Sequence, residues 1–154
     1  IQTTLFFSGL FCTIFYFRPT GKLPGLCHGN ELILLDENSH YEFAVNYYNN
    51  YEEKVNPNTI KEMILEALED EKLFAIDMLG EGVPGMTVPR MHQYLEYVSD
   101  TILADYGLEP VFNQSQPFDF MNQILLDTRS NFFERRSGSY TKLNDTNLKI
   151  DEDF

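Results

Sequence analysis

The sequence predicts an all-α fold. Apolar residues recur at intervals of three and four in several long segments, which is the spacing of a helix with one buried face. No segment of useful length shows the alternation of apolar and polar residues that is typical of a strand. Glycine and proline are concentrated between the periodic segments, at residues 18–25 and 80–89, where we expect connections. With 154 residues the chain has the size of one domain.

Two of the expected helices have distinctive apolar patterns. The first is apolar on all sides, as in a helix buried inside a bundle, and is too short and too diluted by polar residues to be a membrane span. The third has the most regular apolar seam, interrupted by Glu71, which we expect at a groove edge or paired with a basic side chain. The predicted helices cover residues 1–17, about 30–48, 59–79, 89–106 and a short stretch after Pro117 to Leu126.

The charge balance is strongly acidic, with 24 Asp and Glu against 11 Lys and Arg and a formal net charge of −13. Such a surface repels phosphate, which argues against nucleic acid and anionic membranes as partners. Cys12 and Cys27 fit no zinc or redox spacing and favour a reducing compartment, so we expect a cytoplasmic protein. The chain starts at Ile1 without the features of a signal peptide, and we expect it to be a fragment.

The second helix carries an acid and a histidine in an apolar stretch. Glu37 and His40 are three residues apart, so their side chains leave the same side of the helix, one turn apart. Ile33 and Ala44 share this face, which predicts that it points inward. Burying both polar groups unpaired is costly, and a bound iron or manganese ion would satisfy both. Ferritin-like carboxylate proteins use Glu-x-x-His in this way, although a solvated Glu and His show the same spacing.

Several motifs extend this pattern along the chain, in the order FFSG, PGL, NEL, DENSH and PFDFM. With these motifs the sequence closely resembles the small, radical-bearing subunit of class I ribonucleotide reductase of the eukaryotic and viral type. The resemblance covers essentially the whole chain but less than half of a normal subunit. It implies the C-terminal part of a ferritin-like helical bundle over residues 1–136. Residues 137–154, which are polar and without periodicity, are expected to be a mobile tail.

The resemblance also implies residue roles near the metal. Glu37 and His40 correspond to ligands of a di-iron or iron–manganese site, and Asp36 to the aspartate that hydrogen-bonds a metal-bound histidine and helps relay an electron and a proton. The resemblance implies that the tyrosine that carries the radical lies upstream of this sequence. Three residues correspond to the apolar wall around it, a role compatible with plain core packing: Phe7, Phe11 and Ile33.

The tail carries two further implied roles. Tyr140 corresponds to the tyrosine that passes the radical across the subunit interface, although an ordinary tail tyrosine would look the same. The end of the chain corresponds to the peptide that docks into the large subunit, with Leu148, Ile150 and Phe154 as apolar contacts. An acidic solubilising tail is the other interpretation, and the three apolar residues argue against it.

The resemblance places Thr3 where the family carries a glutamate ligand, which reflects either the boundary of a fragment or a genuine loss of that ligand. Two functions therefore remain open. The chain is either part of the radical-generating subunit, which supplies a di-metal and tyrosyl-radical cofactor for reducing ribonucleotides to deoxyribonucleotides, or part of a metal-deficient structural partner. In both cases the expected partners are the large subunit and a second small subunit, as a homodimer or a heterodimer, and this piece alone is expected to be inactive. An unrelated di-iron protein would leave PFDFM and the Phe-ending tail unexplained.

Overall fold

The computed structural model describes residues 2–51 and 53–121, with side chains from residue 8 onward. Within these ranges the chain is helical, without a strand beyond an isolated bridge between Val83 and Met86. The predicted all-α class is confirmed. The helices are α1 (Gln2–Phe15), α2 (Pro24–Asn50), α3 (Pro57–Leu79) and α4 (Val88–Asp105), with a 3₁₀ turn at Arg18–Thr20 between α1 and α2. None of the described helices is long and apolar enough to cross a membrane.

Helix α2 begins earlier than the sequence predicted. Pro24 occupies its first turn, where the missing proline N–H is not needed, and Leu23 precedes it with a positive φ of 52°. Gly25 and Gly29 then lie inside the helix rather than in a connection. The prediction of a start near Asn30 is wrong because proline and glycine break a helix interior but are tolerated around its first turns.

The core lies where α1, α3 and α4 meet. Helix α1 packs against the other three helices, and α3 packs against α4 along its length. The predicted apolar seams of α3 and α4 are buried for the most part, but Met63 and Phe74, which belong to the predicted seam of α3, are 52% and 37% exposed. The fully buried core side chains include Phe11, Phe15, Ile64, Leu68, Met91, Leu95, Ile102 and Leu103.

After α4 the chain reverses and runs back beside that helix. Gly107 adopts a φ of 75°, which a glycine accepts without strain, directly after the helix end. Residues 119–121 are helical, at the place where the sequence predicted a short helix after Pro117. The rest of that predicted helix, to Leu126, lies outside the described residues.

Candidate metal centre

Glu37 and His40 lie one turn apart on α2, as their spacing predicted. The Nδ1 atom of His40 is 3.6 Å from the Oε1 atom of Glu37. The His40 side chain is 73% exposed and that of Glu37 is 27% exposed. The two potential ligands therefore form a contact pair at the surface of the described part of the molecule.

The face of α2 that carries this pair does not point into the described core. Ile33, which the sequence placed on an inward face, is 44% exposed, and Ala44 is also exposed. The buried side chains of α2 are instead Cys27 and Leu34. The prediction of an inward face is wrong for the described helices, because α1 covers the other side of α2.

An aromatic row continues the same side of the helix towards its C-terminus. The rings of Phe43 and Tyr47 stack with centroids 6.1 Å apart, and those of Tyr47 and Tyr51 with centroids 5.3 Å apart. Phe43 is 71% exposed and Tyr47 is 58% exposed. We call the surface formed by Ile33, Glu37, His40, Phe43, Tyr47 and Tyr51 the open face of α2. Large apolar side chains in a continuous row are typical of a surface that packs against another protein element.

The donor set on the open face suits a metal but is incomplete. A carboxylate oxygen and an imidazole nitrogen one turn apart are donors that iron and manganese accept in proteins. Asp36 lies next to Glu37 and is exposed. Within residues 2–51 and 53–121, no group of three histidine, cysteine or acidic side chains is arranged to hold a metal ion. Glu37 and His40 thus supply two donor groups, and the described residues arrange no third one with them to hold a metal ion.

The residues predicted for the apolar wall are not brought together. Phe11 is buried, 1% exposed, and stacks on Phe15 with ring centroids 5.8 Å apart, whereas Ile33 lies on the open face. The side chain of Phe7 lies outside the described part of the chain, as does that of Thr3. The remaining predicted site residues also lie outside the described ranges: Tyr140, Leu148, Ile150 and Phe154.

Glu71 differs from its predicted place at a groove edge or in an ion pair. It is 8% exposed, and its Oε2 atom has no hydrogen-bond partner in the described structure. A Cβ atom added to Gly9 of α1 would lie 3.8 Å from this oxygen, so the carboxyl faces the α1 backbone. Burial raises the pKa of the Glu71 carboxyl, and the nearby charge of Asp70 raises it further. The neighbouring Lys72 pairs instead with Glu69 and Glu96, with N–O distances of 3.2 and 3.0 Å.

Asp100 is a second buried carboxylate, and the sequence analysis missed it. It lies on α4, is 8% exposed, and accepts hydrogen bonds from the backbone N–H groups of Val111, Phe112 and Asn113. In the sequence it is marked only by an acid that follows Ser99 at the edge of the apolar seam of α4. Its partners lie eleven to thirteen residues further along the chain, beyond the reach of helical periodicity.

Comparisons with known proteins agree with the helical fold and the motifs. The family model described as "Ribonucleotide reductase, small chain" matches residues 1–117. A ribonucleoside-diphosphate reductase small chain of Arabidopsis thaliana is 39% identical over 97% of this chain and 49% of that protein. The small chain of Encephalitozoon cuniculi is 41% identical, covering 97% of this chain and 47% of that protein. The chain therefore spans about half the length of these relatives.

A solved structure shows the same arrangement of helices. The ribonucleotide reductase Rnr4 homodimer of Saccharomyces cerevisiae superimposes with a TM-score of 0.68 at 29% sequence identity, covering 79% of this chain and 40% of that one. The match identifies the fold as part of the ferritin-like helical fold of these subunits. Sequence and structure together establish that the chain belongs to the ribonucleotide reductase small-chain family.

Proposed function

We propose that the chain is part of the radical-generating small subunit of ribonucleoside-diphosphate reductase, an oxidoreductase that converts ribonucleotides to deoxyribonucleotides. The observation that carries the proposal is the Glu37–His40 pair, whose heads meet at 3.6 Å on the open face of α2. Family membership supports the reaction class. Free cysteines at Cys12 and Cys27 support a reducing, cytoplasmic location.

In this proposal Glu37 and His40 hold one side of a di-iron or iron–manganese site, and Asp36 orients a metal-bound histidine. When bound, the metal pair supplies the oxidation that stores a radical on a tyrosine upstream of this sequence. The aromatic row from Phe43 to Tyr51 is the contact surface for the helices that carry the remaining ligands. When these helices cover the open face, they exclude water from the metal site. The uncovered face leaves both ligands in contact with water.

Phe11 and Ile33 contribute differently to the same purpose. Phe11 is part of the rigid core that supports α1, and it keeps water away from that side of the bundle. Ile33 becomes buried when the open face is covered, one turn before Glu37. The apolar wall around the radical is proposed to include both residues together with Phe7.

Partner contacts are assigned to the C-terminal residues. Tyr140 is proposed to pass the radical towards the large subunit, and Leu148, Ile150 and Phe154 to dock into a groove of that subunit. A second small subunit completes the assembly as a homodimer or a heterodimer. The dimeric state of the yeast structure supports this arrangement.

Metal loading and electron paramagnetic resonance of the full-length subunit test the proposal. The change His40→Ala removes a ligand, so bound iron and the tyrosyl radical signal are lost while helical content stays the same. His28→Ala is the matched control, because His28 lies on the same helix, is 69% exposed and has its Nδ1 atom 3.7 Å from an oxygen of Glu31. The control keeps metal and radical. A radical signal that survives His40→Ala contradicts the metal assignment.

Thr3 favours a second candidate, a metal-deficient structural partner of the same reductase. A threonine hydroxyl would be a much weaker metal ligand than a glutamate carboxylate. Under this alternative the full-length wild-type protein stays metal-free and radical-silent with iron and oxygen, yet raises the turnover of a separate, metal-competent small subunit. A radical signal from the wild-type protein alone rules this alternative out.

A further inference from the structure

We propose that one polar stripe of α4 fixes the place from which the C-terminal part of the chain leaves the bundle, and that Asp100 is the positioning residue of this device. The stripe, which we call the mooring, consists of Arg90, Gln93, Glu96 and Asp100. Their spacing of three and four places them on one side of the helix. Residues 109–121, the root segment, run along this side. The contacts of the mooring do not depend on the proposed function. The consequence for binding to the large subunit rests on the proposed function.

The Asp100 carboxylate holds the start of the root segment. Its Oδ1 atom lies 2.7 Å from the amide N of Val111 and 3.1 Å from that of Phe112, and its Oδ2 atom lies 2.6 Å from the amide N of Asn113. Asn113 adopts a φ of 54°, a left-handed conformation that sets the direction in which the chain continues directly after the three bonded N–H groups. An ionised acceptor makes such hydrogen bonds roughly twice as strong as neutral ones.

The other members of the stripe hold the root segment further along. The side-chain amide of Gln93 donates to the Ser115 carbonyl oxygen at 2.9 Å, and that of Gln114 donates to Glu96 at 3.0 Å. The Arg90 guanidinium donates to the carbonyl oxygen of Pro117. Each polar residue of this stripe therefore binds a successive part of the root segment.

Two aromatic rings lock the segment against the core. Lys72, which pairs with Glu96 at 3.0 Å, lies over the ring of Phe112 with its Nζ atom 5.4 Å from the centroid. Arg90 lies over the ring of Phe118 at 5.3 Å, and that ring meets Tyr94 with centroids 5.7 Å apart. These contacts are charged at one side and apolar at the other, so the rings cannot leave without breaking both.

The mooring gives the PFDFM motif a role that the metal site does not. Within this motif, residues 117–121, Phe118 and Met121 are each 2% exposed and belong to the main core cluster. In this proposal their burial depends on the mooring, which keeps the root segment beside α4. The rest of the chain, residues 122–154, therefore starts from a fixed point on the bundle.

A fixed starting point matters when the end of the chain docks on the same partner as the body of the subunit. The local concentration of a tethered peptide falls as its free tether lengthens. Releasing the root segment adds residues 109–121 to the length of chain that separates the bundle from the docking peptide, so assembly with the large subunit weakens although the docking peptide itself is unchanged. The mooring thus strengthens assembly with the large subunit although none of its residues contacts that subunit.

The test uses Asp100→Asn in the full-length subunit, with Asp105→Asn as the matched control. Asp105 lies at the end of the same helix, but its carboxylate accepts a hydrogen bond from Tyr41. A second pair of variants leaves every charge in place: Asn113→Val opposes the left-handed conformation at an exposed position, and Asn113→Gly accepts it. This pair keeps the proposal testable even where Asp100→Asn fails to fold.

Hydrogen exchange is the first readout. In Asp100→Asn and Asn113→Val, protection of the root-segment amides from residue 111 to residue 121 falls by roughly tenfold or more, while that of the α3 and α4 amides is retained. Asp105→Asn and Asn113→Gly keep wild-type protection. Equal protection in all four variants overturns the mooring.

Titration with the large subunit is the second readout. The two released variants need about twofold more large subunit for half-maximal turnover, while turnover at saturation and the radical signal stay at the wild-type level. A synthetic peptide of residues 148–154 binds the large subunit independently of these changes. If the amides lose protection but the titration with the large subunit is unchanged, the positioning role is overturned. Loss of the radical signal in these variants overturns it as well. A wild-type subunit that gives no turnover contradicts the proposed function, and the exchange result still decides the mooring.

Discussion

Helices α2 and α4 differ sharply in how much of their surface the described chain covers. Among its 27 residues α2 buries Cys27 and Leu34, whereas α4 buries seven of its 18. The buried side of α4 faces α3 and α1, and its polar stripe holds the root segment. Helix α2 has its candidate ligands and its aromatic row on the uncovered side. The contrast shows that the described chain covers both the apolar and the polar side of α4, while it leaves one side of α2 uncovered.

The largest loss of stability is expected from a change in α4. Leu95 on α4 is fully buried, and its side chain reaches the backbone of α1 at Gly9. Leu95→Ala leaves a cavity between rigid helices and lowers the free energy of unfolding by about 2–5 kcal/mol. Urea unfolding of the full-length subunit measures this loss. A loss below about 1 kcal/mol would mean that Leu95 is packed no better than an ordinary surface side chain.

The open face offers a sharper test, because the stability lost when one of its side chains is removed depends on whether another element covers it. Phe43→Ala removes a ring that is 71% exposed in the described chain. In the full-length subunit we expect a loss of about 2 kcal/mol or more, because the proposed function places further helices against this ring. Leu73→Ala on α3 is the matched control: Leu73 is 63% exposed, and its loss changes stability by less than about 0.5 kcal/mol. Equal, small effects of both changes in urea unfolding contradict a covered face.

The sequence predicted what short-range periodicity controls. The shared side of Glu37 and His40 follows from three-residue spacing, and the seams of α3 and α4 follow from the helical repeat. The start of α2 at Pro24 was missed because proline serves both as a helix breaker and as a first-turn residue. The direction of the α2 face was also missed, since periodicity shows that residues share a face but not what covers it.

Buried carboxylates were the other limit of prediction. Asp100 finds its partners in a loop eleven to thirteen residues away, and Glu71 meets the backbone of α1 across the core. Both depend on tertiary contacts, for which a single sequence carries no periodic signal. Their fates differ as well, because Asp100 is satisfied by backbone N–H groups while the Oε2 atom of Glu71 is not satisfied within the described residues.

The smallest expected effect comes from Glu71 and separates these two carboxylates. Burial and then the charge of Asp70 raise the pKa of Glu71 in the folded protein. A raised carboxyl pKa means that the folded state binds the proton more tightly, so its stability contribution is present below the unfolded pKa and is lost as pH rises through the folded pKa. Glu71→Gln removes the buried charge and stabilises the full-length subunit by about 1 kcal/mol at neutral pH, with a gain that shrinks at acidic pH.

Urea unfolding across acidic to neutral pH measures this change, and Glu66→Gln, on the same helix at an exposed position, is the control. The control leaves both the stability and its pH slope within about 0.5 kcal/mol of the wild type. A gain for Glu71→Gln that is the same at every pH would show that the carboxyl keeps its charge on folding. In that case a group outside the described residues holds the Oε2 atom, and Glu71 is then a satisfied carboxylate like Asp100.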